Sequence, residues 1–357
     1  MGMPSITVNF TESAKSFVSR AERGVVGLIL KGTVPITGPV VTLTRLDEIS
    51  TSDLDVNGKK FARLAMLGCE EKCPAKVICY VLETGVADYT DAFAYFDTLK
   101  SLNYIAVPTI ASDKKEQDVA DWITGQRADY KIVKAVLPNH AGASVGIINF
   151  ATDEMVNGET KYTAADYCAR IAGLIAACPI NESITYKSLP ELDGCTKKTR
   201  IDMDKDVEEG KLVAFWDGEK VKLCRGVNSL TETSKTMGEQ FKKIHVVDIM
   251  DMIMSDIKMT VEDHYIGRYT NSYDNKCLLL SAVGNYLADL ERQQLIKVKN
   301  LDIDIDANRS FLQSQGVDTS DMSDQDLKEA ATGSKVFLTA TINIFDAIED
   351  IVLPITV

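Results

Sequence analysis

The sequence predicts a mixed fold with a mainly parallel α/β domain in the N-terminal half, an α+β domain after it, and an extended strand-forming arm at each end. Three observations support this prediction. Apolar runs alternate with helical spacing across residues 24–152, the alternation stops near Asn181, and both ends alternate apolar with polar residues. The predicted boundaries are 1–22 for the N-terminal arm, 23–180 for the α/β domain, 181–345 for the α+β domain and 346–357 for the C-terminal arm.

Apolar runs in the α/β domain have the length of strands, and several are apolar on consecutive residues, as in strands that are covered on both faces. Segments with helical spacing lie between them, at residues 58–68, 88–101 and 115–129. Strands that alternate with helices in this way predict a mainly parallel sheet. The strand-like runs are residues 25–30, 76–82, 104–110, 130–138 and 145–151.

A further helix is predicted at residues 163–177. Thr163 is suited to its N-cap, and Asp166 stands three residues later, at the capping-box position. After this helix, the alternation of strand-like and helical segments ends. Residues 211–225 are predicted to form a hairpin whose turn contains Asp217 and Gly218, a pair suited to a tight turn.

Long helical patterns dominate the α+β domain, at residues 237–260 and 275–294. Residues 301–306 alternate apolar with acidic side chains, which predicts a half-buried strand. The polar stretch 317–332 is predicted to be a loop with a short helix.

Both ends of the chain have the alternation of strands, and residues 335–357 contain two such stretches in succession. A strand without a neighbour leaves N–H and C=O groups that pair readily with another chain, so this pattern predicts a protein that assembles with copies of itself. The alternative is that both ends close the chain's own sheet. The apolar positions are Ile6, Val8 and Phe10 at the start, then Val336, Leu338, Ala340, Ile342 and Ile344, and then Ile351, Leu353, Ile355 and Val357.

Composition excludes several classes of protein. A net charge of -13 over 357 residues argues against a nucleic-acid-binding protein, because phosphate contacts need clustered lysine and arginine. No apolar run is long enough to cross a bilayer, and no signal peptide is visible, so synthesis and folding in the cytosol are expected. The eight cysteines lack the paired spacing of a zinc site and are predicted to be free, buried thiols.

One motif suggests a different function. Gly142, Ser144 and Gly146 satisfy G-x-S-x-G, which in α/β hydrolases holds a nucleophilic serine between a strand and a helix. The residues after Gly146 instead have the pattern of a second strand, and His140 lies too close before the serine for the usual chain order. A short glycine-rich connection is therefore favoured, with a hydrolase that uses Ser144 as the alternative.

Other motifs of binding or catalysis are not found in the sequence. Asp302, Asp304 and Asp306 imitate the start of an EF-hand, but Ala307 and Gln313 stand where calcium binding needs glycine and a bidentate carboxylate. There is no phosphate loop and no dinucleotide-binding glycine motif. We therefore predict no metal, no cofactor and no enzymatic activity.

Several segments together resemble a known family, the contractile tail sheath proteins of myovirus-type phages and of R-type, phage-tail-like bacteriocins of Gram-positive bacteria. The resemblance covers nearly the whole chain and is greatest from residue 223 onward. The segments are MPSITVNF (3–10), RGVVGLIL (23–30), AGLIAACPINESITYKSL (172–189), LCRGVNSLT (223–231), KKIHVVDIMDMI (242–253) and YIGRYTNSYDNKCLLLSAVGNYLADLERQQLI (265–296).

The resemblance implies a structural subunit that forms rings or a helix around an inner tail tube and contracts to drive the tube through a target envelope. The implied partners are other copies of the chain, the tube protein, and the baseplate and tail terminator proteins, with no nucleic acid and no membrane insertion. Assembly would take place in the host cytoplasm, before the protein becomes part of a virion tail or a released bacteriocin particle. The resemblance does not distinguish a phage from a headless particle, and it gives neither the ring symmetry nor the contraction state.

The resemblance also implies roles for particular residues. In the family, both arms add strands to the sheets of neighbouring subunits, which here assigns the alternating apolar residues of the two ends to contacts between subunits. The α+β domain would face the tube and the α/β domain would lie outside it. The helical segment 237–260 is the candidate for tube contact, with an ordinary core helix as the alternative. Its candidate tube-facing residues are Lys242, Lys243, Asp248 and Asp251.

Overall fold

The computed structural model describes residues 23–235 and 237–356, and within these the chain divides into two units. The larger unit comprises residues up to 255 together with residues 346–356, and the smaller unit comprises residues 256–345. The predicted boundary near residue 180 lies inside the larger unit. The division between the units lies instead within one long helix, Ile244–His264.

The larger unit is built on a seven-stranded sheet with the order β2-β3-β1-β4-β5-β6-β9. All neighbouring strands in it are parallel except β2 and β3, which confirms the predicted α/β fold. The last strand, β9, comes from beyond the predicted domain boundary. The strands of this unit are β1 (Val25–Gly32), β2 (Val40–Leu43), β3 (Lys76–Glu83), β4 (Tyr104–Ala106), β5 (Lys134–Pro138), β6 (Ile147–Phe150), β7 (Met155–Asn157), β8 (Thr160–Tyr162), β9 (Lys211–Leu212), β10 (Ala214–Trp216) and β11 (Val221–Leu223).

Helices cover both faces of this sheet. In β1, Val26 and Leu28 belong to the core on one face, with residues of α2 and α6, whereas Val25 and Ile29 belong to the core on the other face, with residues of α3 and α5. This is why the strand is apolar on consecutive residues. The helices are α1 (Glu48–Thr51), α2 (Val56–Met66), α3 (Thr90–Asp97), α4 (Ile110–Asp113), α5 (Glu116–Ala128), α6 (Ala164–Ala177), α7 (Arg200–Glu208) and α8 (Ile244–His264), which continues into the smaller unit.

Local sequence signals place the ends of several elements correctly. Thr163 and Asp166 form the predicted capping box at the start of α6. Strands β10 and β11 form the predicted hairpin, in which the carboxylate of Asp217 accepts hydrogen bonds from the backbone of Glu219 and Lys220. The predicted helix 237–260 begins later, at Ile244, because Glu239–Lys242 forms a 3-10 turn.

Helix α6 packs closely on α2 through a glycine. A Cβ atom on Gly173 would lie 1.9 Å from the carbonyl oxygen of Ala65, so only glycine allows this approach. We expect Gly173→Ala to lower the free energy of unfolding by about 1–3 kcal/mol because the helices must separate. Gly125→Ala in α5 is the matched control, since no atom lies within 4 Å of the added Cβ. It should raise stability by up to about 1 kcal/mol through helix propensity.

Urea unfolding of the two variants measures these changes. Equal stability of Gly173→Ala and the unsubstituted protein would contradict the close approach of the two helices.

The smaller unit combines the end of α8 with further helices and a two-stranded sheet. The predicted helix 275–294 is confirmed as α9, and the short helix in 317–332 is confirmed as α11. The strand predicted at 301–306 begins earlier and ends at Ile303, because the side chain of Asp304 accepts a hydrogen bond from the backbone of Ala307 and caps the next helix. The elements are α9 (Tyr273–Arg292), β12 (Ile296–Ile303), α10 (Ile305–Ser314), α11 (Asp324–Glu329) and β13 (Leu338–Ile344).

Across the parts of the chain that the structure describes, no helix combines the length and the apolar character needed to cross a membrane.

Candidate functional site

Residues 346–350 are fixed to the body of the larger unit by a charged cluster around Glu349. The side chain of Glu349 is only 5% exposed. Its carboxylate accepts a hydrogen bond of 2.5 Å from the hydroxyl of Thr185 and forms ion pairs with Lys243 at 3.1 Å and Arg225 at 3.5 Å. A buried carboxylate with three such partners holds its backbone in place.

Two further carboxylates complete this cluster. Arg225 also donates to both oxygens of Asp350 at 2.7 Å, and Lys243 also pairs with Asp346. The hydrogen bond to Asp350 raises the pKa of Arg225. Burial lowers the pKa of Lys243, but its hydrogen bonds to Asp346 and Glu349 outweigh that effect and leave the pKa above its ordinary value. We call the following residues the anchor: Thr185, Arg225, Lys243, Asp346, Glu349 and Asp350.

Immediately after the anchor, residues 351–356 are exposed, and we call them the apolar segment. Ile351, Val352, Leu353 and Ile355 each present most of their surface to solvent. The second strand predicted for residues 351–357 is therefore wrong for the single chain within 351–356, where no strand is found. The pattern is that of a strand, but a strand forms only where a partner supplies the ladder of hydrogen bonds.

The remaining arm residues of the prediction lie outside the described part of the chain. These are Ile6, Val8 and Phe10 in the N-terminal arm, and Val357. Their role in contacts between subunits stays a prediction.

Glu349 and Asp350 are neighbouring carboxylates of the anchor, and we expect them to differ in how strongly they hold the C-terminal segment. Glu349→Ala removes the buried group, whereas Asp350→Ala removes a group whose side chain is 78% exposed. We expect thermolysin to cleave native Glu349→Ala near Ile348 and Ile351 roughly tenfold faster than the unsubstituted protein, because hydrogen bonds to buried charges hold the segment down. Asp350→Ala should change the cleavage rate by less than about threefold. Equal acceleration in the two variants would contradict the central role of Glu349.

The smaller unit contains the second feature of interest, the antiparallel pair β12 and β13. Ile296, Val298, Leu301 and Ile303 in β12 stand opposite Ile344, Ile342, Ala340 and Leu338 in β13. The strand predicted from Val336 to Ile344 is thus confirmed over Leu338–Ile344, and its partner is a strand of the same chain. Among the residues that the structure describes, this sheet has only two strands, so each strand leaves one edge without a neighbour.

The two edges differ in their protection against pairing with another strand. Strand β12 carries charged residues, including Lys297, Lys299 and Asp302, and has an irregularity between Val298 and Asn300. Charges and bulges at an edge discourage strand addition. Strand β13, with the sequence LTATINI, has no charge, proline or glycine. The edge of β13 is therefore the one suited to accept another strand.

Comparison with known proteins connects these features to a family. Residues 83–229 match the central domain of the phage tail sheath protein, and residues 236–357 match the phage tail sheath C-terminal domain. The tail sheath protein of Clostridium phage phiCD119 is 35% identical over 361 residues, which cover 98% of each chain. The chain belongs to the phage tail sheath protein family.

Solved structures of sheath proteins share the fold at lower identity. The sheath tail protein of Desulfitobacterium hafniense has a TM-score of 0.71 at 18% identity, over 85% of this chain and 94% of that one. The helical sheath of the anti-feeding prophage in its contracted state has a TM-score of 0.70 at 13% identity, over 100% of this chain and 99% of that one. The mixed fold predicted from the sequence is therefore confirmed as the fold of tail sheath proteins.

Within this member of the sheath family, two of the candidate tube-facing residues lie in a network inside the larger unit. Asp251 accepts hydrogen bonds from both terminal nitrogens of Arg127, at 3.0 and 2.9 Å, and contacts Lys134. Asp248 forms an ion pair with Lys134 at 2.9 Å and accepts a hydrogen bond of 2.5 Å from the hydroxyl of Tyr104. We call these five residues the α8 network, because they join α8 to β4, β5 and α5.

The α8 network is buried and electrostatically balanced. The side chains of Lys134 and Asp251 are 3% and 6% exposed. Burial raises the pKa of Asp251, but Lys134 and Arg127 outweigh that effect and leave the pKa below its ordinary value. The carboxylate of Asp251 is buried and bonded to Arg127 and Lys134 of the same chain. We therefore withdraw Asp251 as a candidate for tube contact.

The other two candidates lie just before α8, which begins at Ile244. Lys243 belongs to the anchor, and Lys242 pairs with the exposed Glu239 at 3.0 Å. A role of Lys242 in tube contact stays a prediction. Sequence reasoning missed the anchor altogether. The signal that could have revealed it is the cluster of three acids, Asp346, Glu349 and Asp350, between two apolar stretches.

Ser144 lies in a loop between β5 and β6, so a strand follows it where a hydrolase requires a helix. Its hydroxyl accepts a hydrogen bond from the backbone of Gly146, and its backbone N–H donates to the hydroxyl of Ser229. These contacts stabilise the loop. The hydrolase alternative is not supported.

The eight cysteines are free thiols, as predicted, but Cys73 is exposed and Cys178, Cys195, Cys224 and Cys277 are only partly buried. The prediction of buried thiols is thus right for Cys69, Cys79 and Cys168 alone. No group of three or more potential metal ligands occurs in residues 23–235 and 237–356.

Proposed function

We propose that this protein is the polymerising subunit of a contractile tail sheath, without enzymatic activity. Copies of it surround an inner tail tube, and their contraction drives the tube through a target envelope. Family membership over almost the whole chain supports this proposal. The observation that carries it is that residues 23–235 and 237–356 contain both an exposed apolar segment with strand pattern and a strand edge, that of β13, which has no neighbouring strand among these residues.

In the proposed assembly, the apolar segment of one copy adds to β13 of another copy as an edge strand. Pro354 determines which side of the segment pairs. In a strand, the N–H and C=O groups of alternate residues point to the same side. Proline has no N–H and is confined to edge strands with that side facing solvent. Residues 352, 354 and 356 therefore face outward, and the backbone of Ile351, Leu353 and Ile355 pairs with β13.

Strand addition suits a lattice that must change shape without coming apart. Each backbone hydrogen bond contributes only about 0.5–1.5 kcal/mol net. Several such bonds per segment, repeated through a lattice, give a large total affinity. The anchor fixes the start of each segment to its own subunit, so a subunit that rotates carries its segment with it.

The energy of contraction is stored in assembly in this proposal. The extended lattice is a metastable packing templated by the tube and baseplate, and the contracted lattice has better-matched contacts. No nucleotide is needed.

The tail terminator is a further partner, and the N-terminal arm adds a second strand between subunits. Residues 23–180 would lie outside and residues 181–345 nearer the tube, with Lys242 as a candidate for tube contact. Subunits would assemble in the host cytoplasm and then form part of a virion tail or a released particle.

Electron microscopy of the purified protein tests this function. Hollow cylinders that form without other proteins are expected, since the contacts between subunits come from the chain itself. A protein that remains monomeric at every concentration would contradict the proposal.

The rival function has its own test. An active-site serine probe that labels the native protein, with labelling lost in Ser144→Ala, would support a hydrolase.

A further inference from the structure

The edge of β13 that has no neighbouring strand among the described residues borders a groove in the smaller unit. The volume of this groove, about 820 Å³, lies within the range of roughly 300–1,000 Å³ that is usual for ligand pockets. Val336 and Leu338 line the groove from the β13 side. No residue of β12 is among the described residues that line it, although Ile303 stands opposite Leu338. The groove therefore lies at the free edge of β13, and we call it the β13 groove.

The walls of the β13 groove are mostly apolar and only partly covered. Ile266 and Tyr269, which lie between α8 and α9, are 66% and 38% exposed, and Val336 is 38% exposed. Leu279 of α9 adds a half-buried apolar side chain. Apolar surface that is grouped in a groove and left open to solvent is typical of an interaction site.

Hydrogen bonds fix the chain that leads into β13. The side-chain amide of Asn271 donates to the backbone carbonyls of Gly333 and Lys335, both at 2.9 Å. The buried amine of Lys276 donates to the carbonyl of Ala330 at 2.8 Å. These contacts join the two sides of the groove. The groove is therefore formed before an occupant arrives, and binding requires little reordering of the subunit.

The backbone of β13 shows which of its residues offer hydrogen bonds at the free edge. The carbonyl of Phe337 accepts from the N–H of Asp304, and the N–H of Phe345 donates to the carbonyl of Leu295. The odd-numbered residues thus direct their backbone groups toward β12, because the groups of alternate residues point to the same side of a strand. The even-numbered residues of β13 direct theirs to the free edge. Their side chains lie on the face of the sheet that carries the groove, since Leu338 lines it.

A strand can add to this edge in two directions, and the two directions place opposite faces of the apolar segment against the groove. In the proposed assembly, Pro354 requires that the odd-numbered residues of the segment pair with β13. In an antiparallel pair, residues that exchange hydrogen bonds stand opposite each other, with their side chains on the same face. The odd-numbered side chains, which are all aliphatic, then lie on the groove side. In a parallel pair the hydrogen-bonding residues of the two strands alternate, so Pro354 and Thr356 would lie there instead.

We propose, building on the strand addition proposed above, that the apolar segment of a second copy adds antiparallel to β13 and places Leu353 and Ile355 in the β13 groove. In this direction the end of the segment approaches the start of β13, where the groove lies. Leu353 and Ile355 are 74% and 76% exposed in the single chain. The groove removes this apolar surface from water, which favours the bound state.

Asparagine substitutions test the face of the segment without removing a backbone hydrogen bond. We expect Ile355→Asn to raise the protein concentration at which cylinders form at least about tenfold, because an amide without a partner replaces an apolar side chain in the groove. Val352→Asn is the matched control and should change this concentration by less than about threefold. A parallel strand would reverse the two results. Such a reversal, or equal effects of the two substitutions, would overturn the proposal.

The wall of the groove offers a second test. Ile266→Asn changes an exposed wall residue and should also raise the concentration for assembly at least about tenfold. Val317→Asn is the control, because Val317 is 44% exposed in the smaller unit and does not line the groove. The circular dichroism of both variants should match that of the unsubstituted protein, since neither residue is buried. Unchanged assembly of Ile266→Asn would rule out the groove as the docking site.

Cross-linking identifies the occupant and its direction. A Val336→Cys variant is mixed with an Ile355→Cys variant or with an Ile351→Cys variant, and the cylinders are treated with a short bismaleimide and mapped by mass spectrometry. We expect a peptide that joins positions 336 and 355 and little that joins 336 and 351, because four residues of a strand span roughly 13 Å. Each chain carries only one member of a pair, so the product reports a contact between copies.

Preferential cross-linking of positions 336 and 351 would show parallel addition and overturn the proposal. Cross-linking confined to monomers of the double variant Val336→Cys, Ile355→Cys would also overturn it, because the occupant would then be the chain's own segment. These failures leave the sheath function in place as long as cylinders form. If the unsubstituted protein forms no cylinders, the proposed function and this contact fail together.

Discussion

We expect the replacement of Leu353 with proline to abolish assembly into cylinders and the replacement of Val352 with proline to leave assembly intact. Both residues are exposed in the single chain, so neither substitution should affect its folding. The N–H of residue 353 points to the side that pairs with β13, and its loss removes a ladder hydrogen bond. The N–H of residue 352 points to the same side as the ring of Pro354, where no pairing occurs in the proposed assembly.

Electron microscopy and sedimentation of the two variants at equal concentration measure the result. Deletion of residues 351–357 is the more severe variant and should give a folded, soluble monomer. The circular dichroism of all three variants should match that of the unsubstituted protein. Normal cylinders from the deletion variant would rule out the strand-addition mechanism. Equal loss of assembly in Leu353→Pro and Val352→Pro would contradict the assigned pairing side but leave the mechanism in place.

The sequence was sufficient to predict features that depend on neighbours in the chain. The capping box of Thr163 and Asp166 is local, and so is the turn at Asp217. The buried strand β1 was also predictable, because burial on both faces is visible as consecutive apolar residues. The fold class followed from the order of such elements.

Features that depend on contacts between distant residues could not be predicted. Glu349 meets Thr185, which lies 164 positions away, and no periodicity in the sequence records that contact. Asp248 and Asp251 were interpreted as surface charges, although their spacing places them on one face of α8. The apolar segment shows a different limit. Its alternation indicates a strand, but the pattern does not say which chain supplies the partner.

The α8 network should stabilise the larger unit strongly, because its central ion pair, Lys134–Asp251, is buried. Asp251→Ala leaves the buried amine of Lys134 with Asp248 as its remaining carboxylate and leaves Arg127 without its bidentate acceptor. Removal of one partner from a buried pair costs about 3–5 kcal/mol. Asp47→Ala is the matched control. It breaks the Arg45–Asp47 pair, which is mostly exposed, and should cost at most about 1 kcal/mol.

Urea unfolding in the Leu353→Pro background measures these values without interference from assembly. The double variant Lys134→Met, Asp251→Ala provides an internal check. It removes both buried charges of the pair, so it should be less destabilised than the sum of the single variants. If Asp251→Ala lowers the free energy of unfolding no more than the control Asp47→Ala does, the network does not hold α8 in place.

The pH dependence of stability follows from the same network. The folded pKa of Asp251 is below its ordinary value of 3.8, so its contribution is fully present above that value and is lost as the pH falls through the folded pKa. The contribution of Lys134 to stability changes with pH in the opposite direction. Burial lowers its pKa, but Asp248 and Asp251 raise it above 10.5, so its contribution is present below that value and is lost as the pH rises further. The stability difference between the unsubstituted protein and Asp251→Asn should therefore be constant near neutral pH and should narrow below about pH 4. A difference that narrowed already between pH 6 and 8, roughly the range in which histidine titrates, would assign the effect to another group.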